Sequence, residues 1–470
     1  MSVYDIDIDT YSQDFTITEG NKEKNGEVHT DFKIINDMLD LIPNKYFKDP
    51  TLKWLDPCAG RGYFCIVLYK KLFQGLKEFY PDDKKRHNHI TSYMLHMVEL
   101  NSTFIPLLKK LFGENCHIYN LDFLTFQKGE IYDMVIGNPP YNSKGKAIWN
   151  TFTEKSLSVL KDKGFLTFIT PSIWMKKDHN MYSKLLRYNV KKIYTLNNTE
   201  TNKIFHGNAQ TPTCYFLLRK IVNRDILKKE KIENYDTDDW LIHQGDIIDI
   251  TPKSRPIKLF ARTHNKYITY RLNPMTSIPL FGSTIINKLH AFVTKVGHIS
   301  VTKTNMRKGY KGLVLTQEPT DNTPYPNITT CKLNGLQPQL VINFSNIQCH
   351  FHGVTKLVLA HKMYGFPFLD LSGNFGISNR DNYVIYNKSK QDLMKLHQFL
   401  STNFIITLFE ATRYRMKYLE RYIFEMLPDI TKLNDFPEDI NDKSLCDYFK
   451  LNKMERNLIN TFNKKKYLTF

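Results

Sequence analysis

The sequence has no run of eighteen apolar residues, so no segment of it is predicted to cross a membrane as a helix. Its first residues, "MSVYDIDIDTYSQ", lack the basic-then-apolar pattern of an export leader. The seven cysteines form no Cys-x-x-Cys pair, which excludes a zinc ribbon, and their odd number argues against a disulfide framework. These absences give the expectation of an intracellular, cytoplasmic protein in a reducing compartment, with no membrane partner. No His-Glu-x-x-His pattern and no nuclease-like carboxylate–lysine cluster occurs. "CHFHG" sets His350 and His352 on one side of a strand, but no second pair matches them, so no metal is expected. Internal repeats and heptad arrays are absent too, and the short basic run "NKKKY" is the single biased tract.

What the chain does have is size and positive charge. Its 470 residues suffice for two or three domains, and 41% hydrophobic content suits a folded chain. Lys and Arg number 65 against 47 Asp and Glu, a formal net charge of +18, which favours a polyanionic partner such as nucleic acid. After a polar segment over 1–24, short apolar runs alternate with helical patterns across 25–222. The runs are "LKWLD", "YMLHMVEL", "CHIYNL", "YDMVIGN", "GFLTFIT", "KKIYTL" and "TPTCYFLLR". That rhythm predicts stacked βαβ units and a Rossmann-like, doubly wound α/β sheet. A charged stretch over 223–240 reads as a linker. Residues 241–430 lose the rhythm and predict a mixed α+β domain, helical from Lys388 to Leu427, with a basic segment over 431–470.

Four motifs carry chemistry. "DPCAGRGYF" follows the first strand, and Gly60 and Gly62 let the backbone turn tightly and approach a ligand. No third glycine completes a dinucleotide fingerprint, and no Gly-Lys-Ser/Thr makes a phosphate loop. Asp56 suits an amino group better than a phosphate. Glu99 closes the second strand, where an acid grips ribose hydroxyls in sheets of this kind. Asp122, after the third, can accept from an adenine amino group while Phe123 packs on the ring; an N-cap is the ordinary alternative. In "YDMVIGNPPYN" an apolar run stops at Gly137, and Pro139 and Pro140 cannot continue a central strand. Asn138 and Tyr141 then sit on a rigid turn at a carboxyl end, with an amide oxygen, the Pro139 carbonyl and a ring face for a planar base.

"DPCAGRGYF" followed by "GNPPYN" resembles the S-adenosylmethionine-dependent amino-methyltransferases of DNA, most closely the adenine-N6 enzymes of restriction–modification systems. The resemblance covers about 25–220. It implies S-adenosyl-L-methionine as cofactor, double-stranded DNA as partner, room for a separate restriction endonuclease, and a target-recognition region after the catalytic domain. By it Asp56, Cys58, Gly60 and Gly62 surround the methionine moiety, Glu99 binds the ribose, and Asp122 with Phe123 holds the adenine. Thr30 takes the place of a threonine that contacts the methionine end, although Asp31 stands where a proline is usual. Asn138, Pro139, Pro140 and Tyr141 are the catalytic turn, and Phe205 in "KIFHGNAQTPTCYFLL" is the second ring against an extruded base. No second acid follows Glu99, and the insert "KEFYPDDKKRHNH" ahead of it reads as a solvated surface loop. Asn379, Arg380 and Asn382 on an expected turn, and Arg413 and Arg415 on an expected helix, are the candidate DNA contacts. Methylation of RNA or of a protein glutamine on the same fold, and a non-catalytic specificity subunit, are the alternatives.

Overall fold

In the computed structural model the chain divides into two compact units. One comprises Met1–Trp174, Asp178–Phe260 and Arg271–Met275; the other comprises Met175–Lys177, Ala261–Tyr270 and Thr276–Phe470. The structure describes residues 3–6, 30–127, 129, 131–143, 145–205, 207, 209, 211–221, 257–261, 265–270, 276–304, 311–334, 337–361, 367–378, 382–415 and 418–462, without the side chains of 332–338 and 462.

In the first unit, β1 (Trp54–Asp56), β2 (Leu95–Glu99) and β4 (Tyr132–Gly137) are short apolar strands buried on both faces, as a parallel sheet covered by helices requires. With β3 (His117–Asn120), β5 (Leu160–Pro171), β6 (Asn189–Leu196), β7 (Thr213–Arg219) and β8 (Ile257–Ala261) they run in the order β8-β6-β7-β5-β4-β1-β2-β3. Only β7 is antiparallel to its neighbours in this set. The doubly wound α/β sheet is therefore the one the apolar runs predict. Its order reverses between β1 and β4, where Trp54 and Leu55 pair with Met134 and Val135. Loops leaving such a switch point diverge and open a crevice at the carboxyl ends. β8 lies beyond the boundary drawn at 222, yet it pairs in parallel with β6, so that boundary falls too early.

The helices of this unit are α1 (Phe32–Leu39), α2 (Tyr63–Gly75), α3 (Asp83–His89), α4 (Ile105–Phe112), α5 (Trp149–Val159), α6 (Asn180–Leu186) and α7 (Asn198–Ile204). α2 starts at Gly62, whose φ of 86° is left-handed and where an added Cβ would stand 3.0 Å from Leu108. The insert expected to be a solvated loop contains α3. Asp82 caps it by accepting from the Lys85 N–H at 2.7 Å. Arg86 is buried, lies 3.8 Å over the Phe73 ring, pairs with Asp83, and donates to the Tyr80 carbonyl at 2.7 Å. One arginine, indistinguishable in sequence from its charged neighbours, anchors the insert.

The second unit carries α8 (Ser283–Val296) and two antiparallel sheets. One sheet holds β9 (Thr302–Lys303), β13 (Lys356–Ala360), β14 (Phe368–Asp370) and β15 (Asn382–Ile385), in the order β9-β15-β13-β14. The other holds β10 (Leu315–Thr316), β11 (Tyr325–Asn334) and β12 (Gln337–Ser345), in the order β10-β12-β11. Ile328, Cys331, Val358, Ala360, Ile377 and Val384 form a shared core. The helical stretch expected over Lys388–Leu427 is instead α9 (Lys390–Leu400) and α10 (Asn403–Ala411), followed by a 3-10 turn, Arg421–Met426. The break falls at Ser401-Thr402, where the Thr402 hydroxyl accepts from the Ile405 N–H at 3.3 Å and restarts the helix.

Lys356 is fully buried on β13, directly opposite Asp370. Its ammonium donates to Asp370 Oδ2 at 2.5 Å and to the carbonyls of Phe375, Phe351 and Val354 at 2.6, 3.0 and 3.2 Å. Asp370 in turn accepts from the backbone N–H groups of Asn374 and Phe375, both at 3.1 Å. Burial pushes the lysine pKa down, and Asp370 opposes that. Removing one partner of so enclosed a pair leaves an uncompensated charge. Lys356→Met is expected to destabilise this unit by about 3–5 kcal/mol in denaturant titrations; a loss under about 1 kcal/mol would show that the pair does not hold the sheet.

Candidate active site

Two buried carboxylates stand at the carboxyl ends of adjacent strands. Asp56, 2% exposed, accepts from the Cys58 N–H at 3.0 Å through Oδ1. Glu99 accepts from the Gly60 N–H at 2.6 Å through Oε2 and from the Asn101 N–H at 2.7 Å through Oε1. The Ala59 N–H donates to the Val98 carbonyl at 3.0 Å, so the glycine turn is tied to β2 by backbone as well. A Cβ at Gly60 would meet nothing within 4 Å, so the turn faces open space.

The catalytic-turn candidate lies against this frame. Gly137 ends β4 where a Cβ would approach Asp56 Oδ1 to 3.0 Å, so glycine permits the contact between the two strand ends. The Cys58 thiol donates to the Asn138 carbonyl at 3.2 Å. The Asn138 amide nitrogen donates to Thr30 Oγ1 at 3.0 Å. Asn138 Oδ1 is buried, and among the described residues no donor reaches it. Three residues on, the Tyr141 hydroxyl is likewise buried without a partner among them, and its ring meets Phe205 edge-on, centroids 6.3 Å apart.

Burial pushes Asp56 up to about 7; the Cys58 N–H opposes this and the negative Glu99 adds to it. Burial, reinforced by Asp56 and Glu99, also raises the Cys58 thiol well above its ordinary value. Cys58 is therefore a protonated donor rather than a thiolate nucleophile. Burial likewise raises the Tyr141 phenol.

Hydrogen bonds thus join Thr30 to Asn138, Cys58 to Asp56 and Asn138, and Gly60 to Glu99; Gly62 lies on the turn after β1, and Pro139, Pro140 and Tyr141 follow Asn138 on the turn after β4. Other candidates land differently. Asp122, half-buried, caps a 3-10 turn by accepting from the Leu124 N–H at 2.9 Å through one carboxylate oxygen, Oδ1. Phe123 is 2% exposed and packs against Phe126 and Phe152, which leaves no open ring face. Phe205 is completely buried, so it braces Tyr141 instead of offering a second platform. Asn382 is a buried strand residue whose N–H donates to Thr304 Oγ1 at 2.8 Å, not a turn reader. Asn379 and Arg380 lie outside the described residues. Arg413 and Arg415 follow α10 and are not helical; Glu410 pairs the first at 2.8 Å and Glu420 the second at 2.9 Å, so internal carboxylates neutralise them. Asn120 was missed: its amide donates to the Glu99 carbonyl at 2.8 Å and fixes the end of β2. An asparagine ending the strand beside the acid was its only signal. Among the described residues no helix is long and apolar enough to cross a membrane, and no three His, Cys, Asp or Glu residues group as metal ligands would.

The strand order and the two turns at the switch point are those of a Rossmann-like α/β fold. Residues 96–205 match the Eco57I restriction-modification methylase family. An uncharacterized adenine-specific methylase of Mycoplasma pneumoniae is 24% identical, over 45% of this chain and 73% of its own length. The type II methyltransferase M.PaeR7I of Pseudomonas aeruginosa is 26% identical, over 42% of this chain and 39% of its own. The M protein of the type I restriction enzyme EcoKI superposes with a TM-score of 0.34 at 14% identity, covering 51% of this chain and 49% of that one.

The raised Asp56 pKa has a defined signature. The unfolded carboxyl titrates near its ordinary 3.8 and the folded one near 7, so stability is full below about pH 4 and lost as pH rises to about 7. The gap corresponds to roughly 4 kcal/mol at 1.4 kcal/mol per pH unit. Asp56→Asn abolishes this dependence. The stability difference between variant and wild type, followed by denaturant titration without ligand, should shift in favour of the variant across pH 4–7 and be flat above. A pH-independent difference would show that Asp56 is ionised throughout.

Proposed function

We propose that the chain transfers a methyl group from S-adenosyl-L-methionine to the N6 amino group of an adenine extruded from double-stranded DNA. The observation that carries this reading is the buried, unmatched Asn138 Oδ1 on a Pro-Pro turn at the switch point. A buried acceptor without a donor costs about 1–3 kcal/mol, which an arriving N–H recovers. The names of two relatives, an adenine-specific methylase and a type II methyltransferase, support methyl transfer to adenine. The formal net charge of +18 suits a polyanionic acceptor such as DNA.

The residues present suit the cofactor. Asp56 is a buried carboxylate whose pKa burial raises to about 7, and a ligand ammonium or sulfonium beside it would favour the charged form. A carboxylate oxygen accepts more than one hydrogen bond, so Glu99 can hold its two backbone N–H groups and still meet ribose hydroxyls. S-adenosylmethionine supplies a methyl group on a sulfonium, a leaving group that departs as a neutral thioether. The protein's part is orientation. Asn138 Oδ1 and the Pro139 carbonyl draw the two amino hydrogens into their acceptors, which turns the nitrogen lone pair out of conjugation and toward the methyl carbon. As the N–C bond forms and the S–C bond breaks, the nitrogen becomes positive. The two acceptors stabilise that charge until a proton leaves to water. The Tyr141 ring offers the face on which the base stacks, and extrusion is required because the amino group cannot be reached within the duplex. The second unit, with two sheets and their connecting loops, is assigned the reading of flanking sequence.

Asn138→Ala is expected to lower methyl transfer at saturating cofactor by about 100-fold or more, the usual effect of deleting one preorganised polar group. Tritiated cofactor and mixed-sequence genomic DNA measure it; full incorporation by the variant would remove Asn138 from the chemistry.

Tyr141→Ala should weaken productive DNA binding by roughly 5- to 150-fold, since stacking contributes about 1–3 kcal/mol per base. Calorimetry should find cofactor affinity nearly unchanged. Loss of cofactor binding instead would place Tyr141 on the other side of the site.

A further inference from the structure

We infer that Thr30 is a positioning residue for Asn138: its hydroxyl anchors the catalytic carboxamide in the orientation observed, with Nδ2 held toward Thr30 and Oδ1 left for the substrate. The inference rests on the methyltransferase reading and changes the part expected of Thr30, which was a contact to the methionine end of the cofactor.

A carboxamide has two nearly isosteric orientations about its last torsion, one presenting an acceptor and the other a donor pair. Facing a substrate amino group, only the acceptor orientation makes a hydrogen bond; the other sets donor against donor. The backbone of Asn138 is already pinned, because the Cys58 thiol holds its carbonyl at 3.2 Å and the two prolines fix the turn that follows. Side-chain rotation is the freedom left. Thr30 Oγ1, accepting from Asn138 Nδ2 at 3.0 Å, is the side-chain contact among the described residues that restrains it.

Thr30 is itself well anchored. It is 6% exposed and directly precedes Asp31, which caps α1 by accepting from the Lys33 N–H at 2.7 Å. Phe32, Ile34 and Ile35 then bury the first turns of that helix. The proline usual at the position of Asp31 in the resembled enzymes is replaced by a side-chain cap that also fixes where the helix begins, and with it the hydroxyl. Two segments 108 residues apart in sequence therefore meet at one hydrogen bond, which the reactive carboxamide donates.

The test compares Thr30→Val, which keeps the shape and removes the hydroxyl, with Thr30→Ser, which restores it. Single-turnover transfer is measured at saturating S-adenosylmethionine on genomic DNA from cells without adenine methylation, and cofactor Kd by calorimetry. The expected result is a fall in the transfer rate of about 10-fold or more in the valine variant, with Kd within about 3-fold of wild type and the serine variant close to it. Selective asparagine labelling adds a readout independent of activity. The Asn138 side-chain amide protons, assigned by their loss in Asn138→Ala, should exchange with solvent faster in Thr30→Val. If the valine variant melts without cooperativity, Thr30→Ala carries the same expectations. A Kd raised about 10-fold with the saturating rate kept, or wild-type rate and exchange, overturns the assignment. A wild-type protein that methylates no DNA while its Asn138 amide is protected by Thr30 would sink the proposed reaction and leave the hydrogen bond standing.

Discussion

The site depends first on the bond from the Gly60 N–H to the Glu99 carboxylate, at 2.6 Å. A buried carboxylate must be met by donors or it will not stay ionised, and here backbone N–H groups from two loops meet it. In exchange the carboxylate dictates the course of both loops. The turn after β1 is drawn toward β2, the thiol of Cys58 then reaches the Asn138 carbonyl, and the turn after β4 is placed relative to β1. Gly137 permits the last step, because any side chain there would meet Asp56. Placement of the turn after β4 is therefore inherited from placement of the turn after β1 through named contacts.

In the proposed reaction this order of dependence has an energetic sense. The oxygen of Asn138 bears its desolvation cost before substrate arrives, so little reorganisation remains when charge develops on the amino nitrogen. The same low-polarity setting keeps Cys58 a thiol and Tyr141 a phenol. Neither competes as an acid or a nucleophile. The chemistry is left to orientation, and orientation is what the hydrogen bonds around Asn138 provide.

The sheet was legible because parallel strands buried on both faces must be apolar throughout, and each such run in the first half became a strand. Asn138 and Tyr141 were legible for a related reason: two prolines cannot sit inside that sheet, so polar groups beside them belong at its end. Phe205, Phe123, Arg413 and Arg415 show where such reasoning stops. An aromatic or an arginine carries no local mark of whether its outer face is covered. Phe205 disappears behind Tyr141, and the two arginines turn back to Glu410 and Glu420. Asn382 looked like a turn residue because amides favour turns, but its hydrogen bonds with Thr304 and Thr329 place it inside a strand. The helix α3 escaped notice for the opposite reason: it has no apolar stripe, and one buried arginine anchors it.

Both units bury charge at strand ends, and the comparison separates a staple from a site. Lys356 has its counter-ion opposite and three carbonyls around it, so the cluster is electrically closed and asks for nothing more. Asp56 has one N–H, a thiol contact from Cys65 at 3.9 Å and a second carboxylate nearby; burial raises its pKa to about 7, and the negative Glu99 adds to the rise. A fold under selection for stability alone would place an amide or an apolar residue there, since an unmatched buried carboxylate only costs. Its presence is economical if a cation arrives from outside, and an ammonium or sulfonium bound against β1 would lower that pKa and restore the balance. The imbalance at Asp56 and the unmatched oxygen of Asn138 therefore ask for related things, a positive charge and a hydrogen-bond donor. S-adenosylmethionine and an adenine amino group would meet both requirements in one crevice.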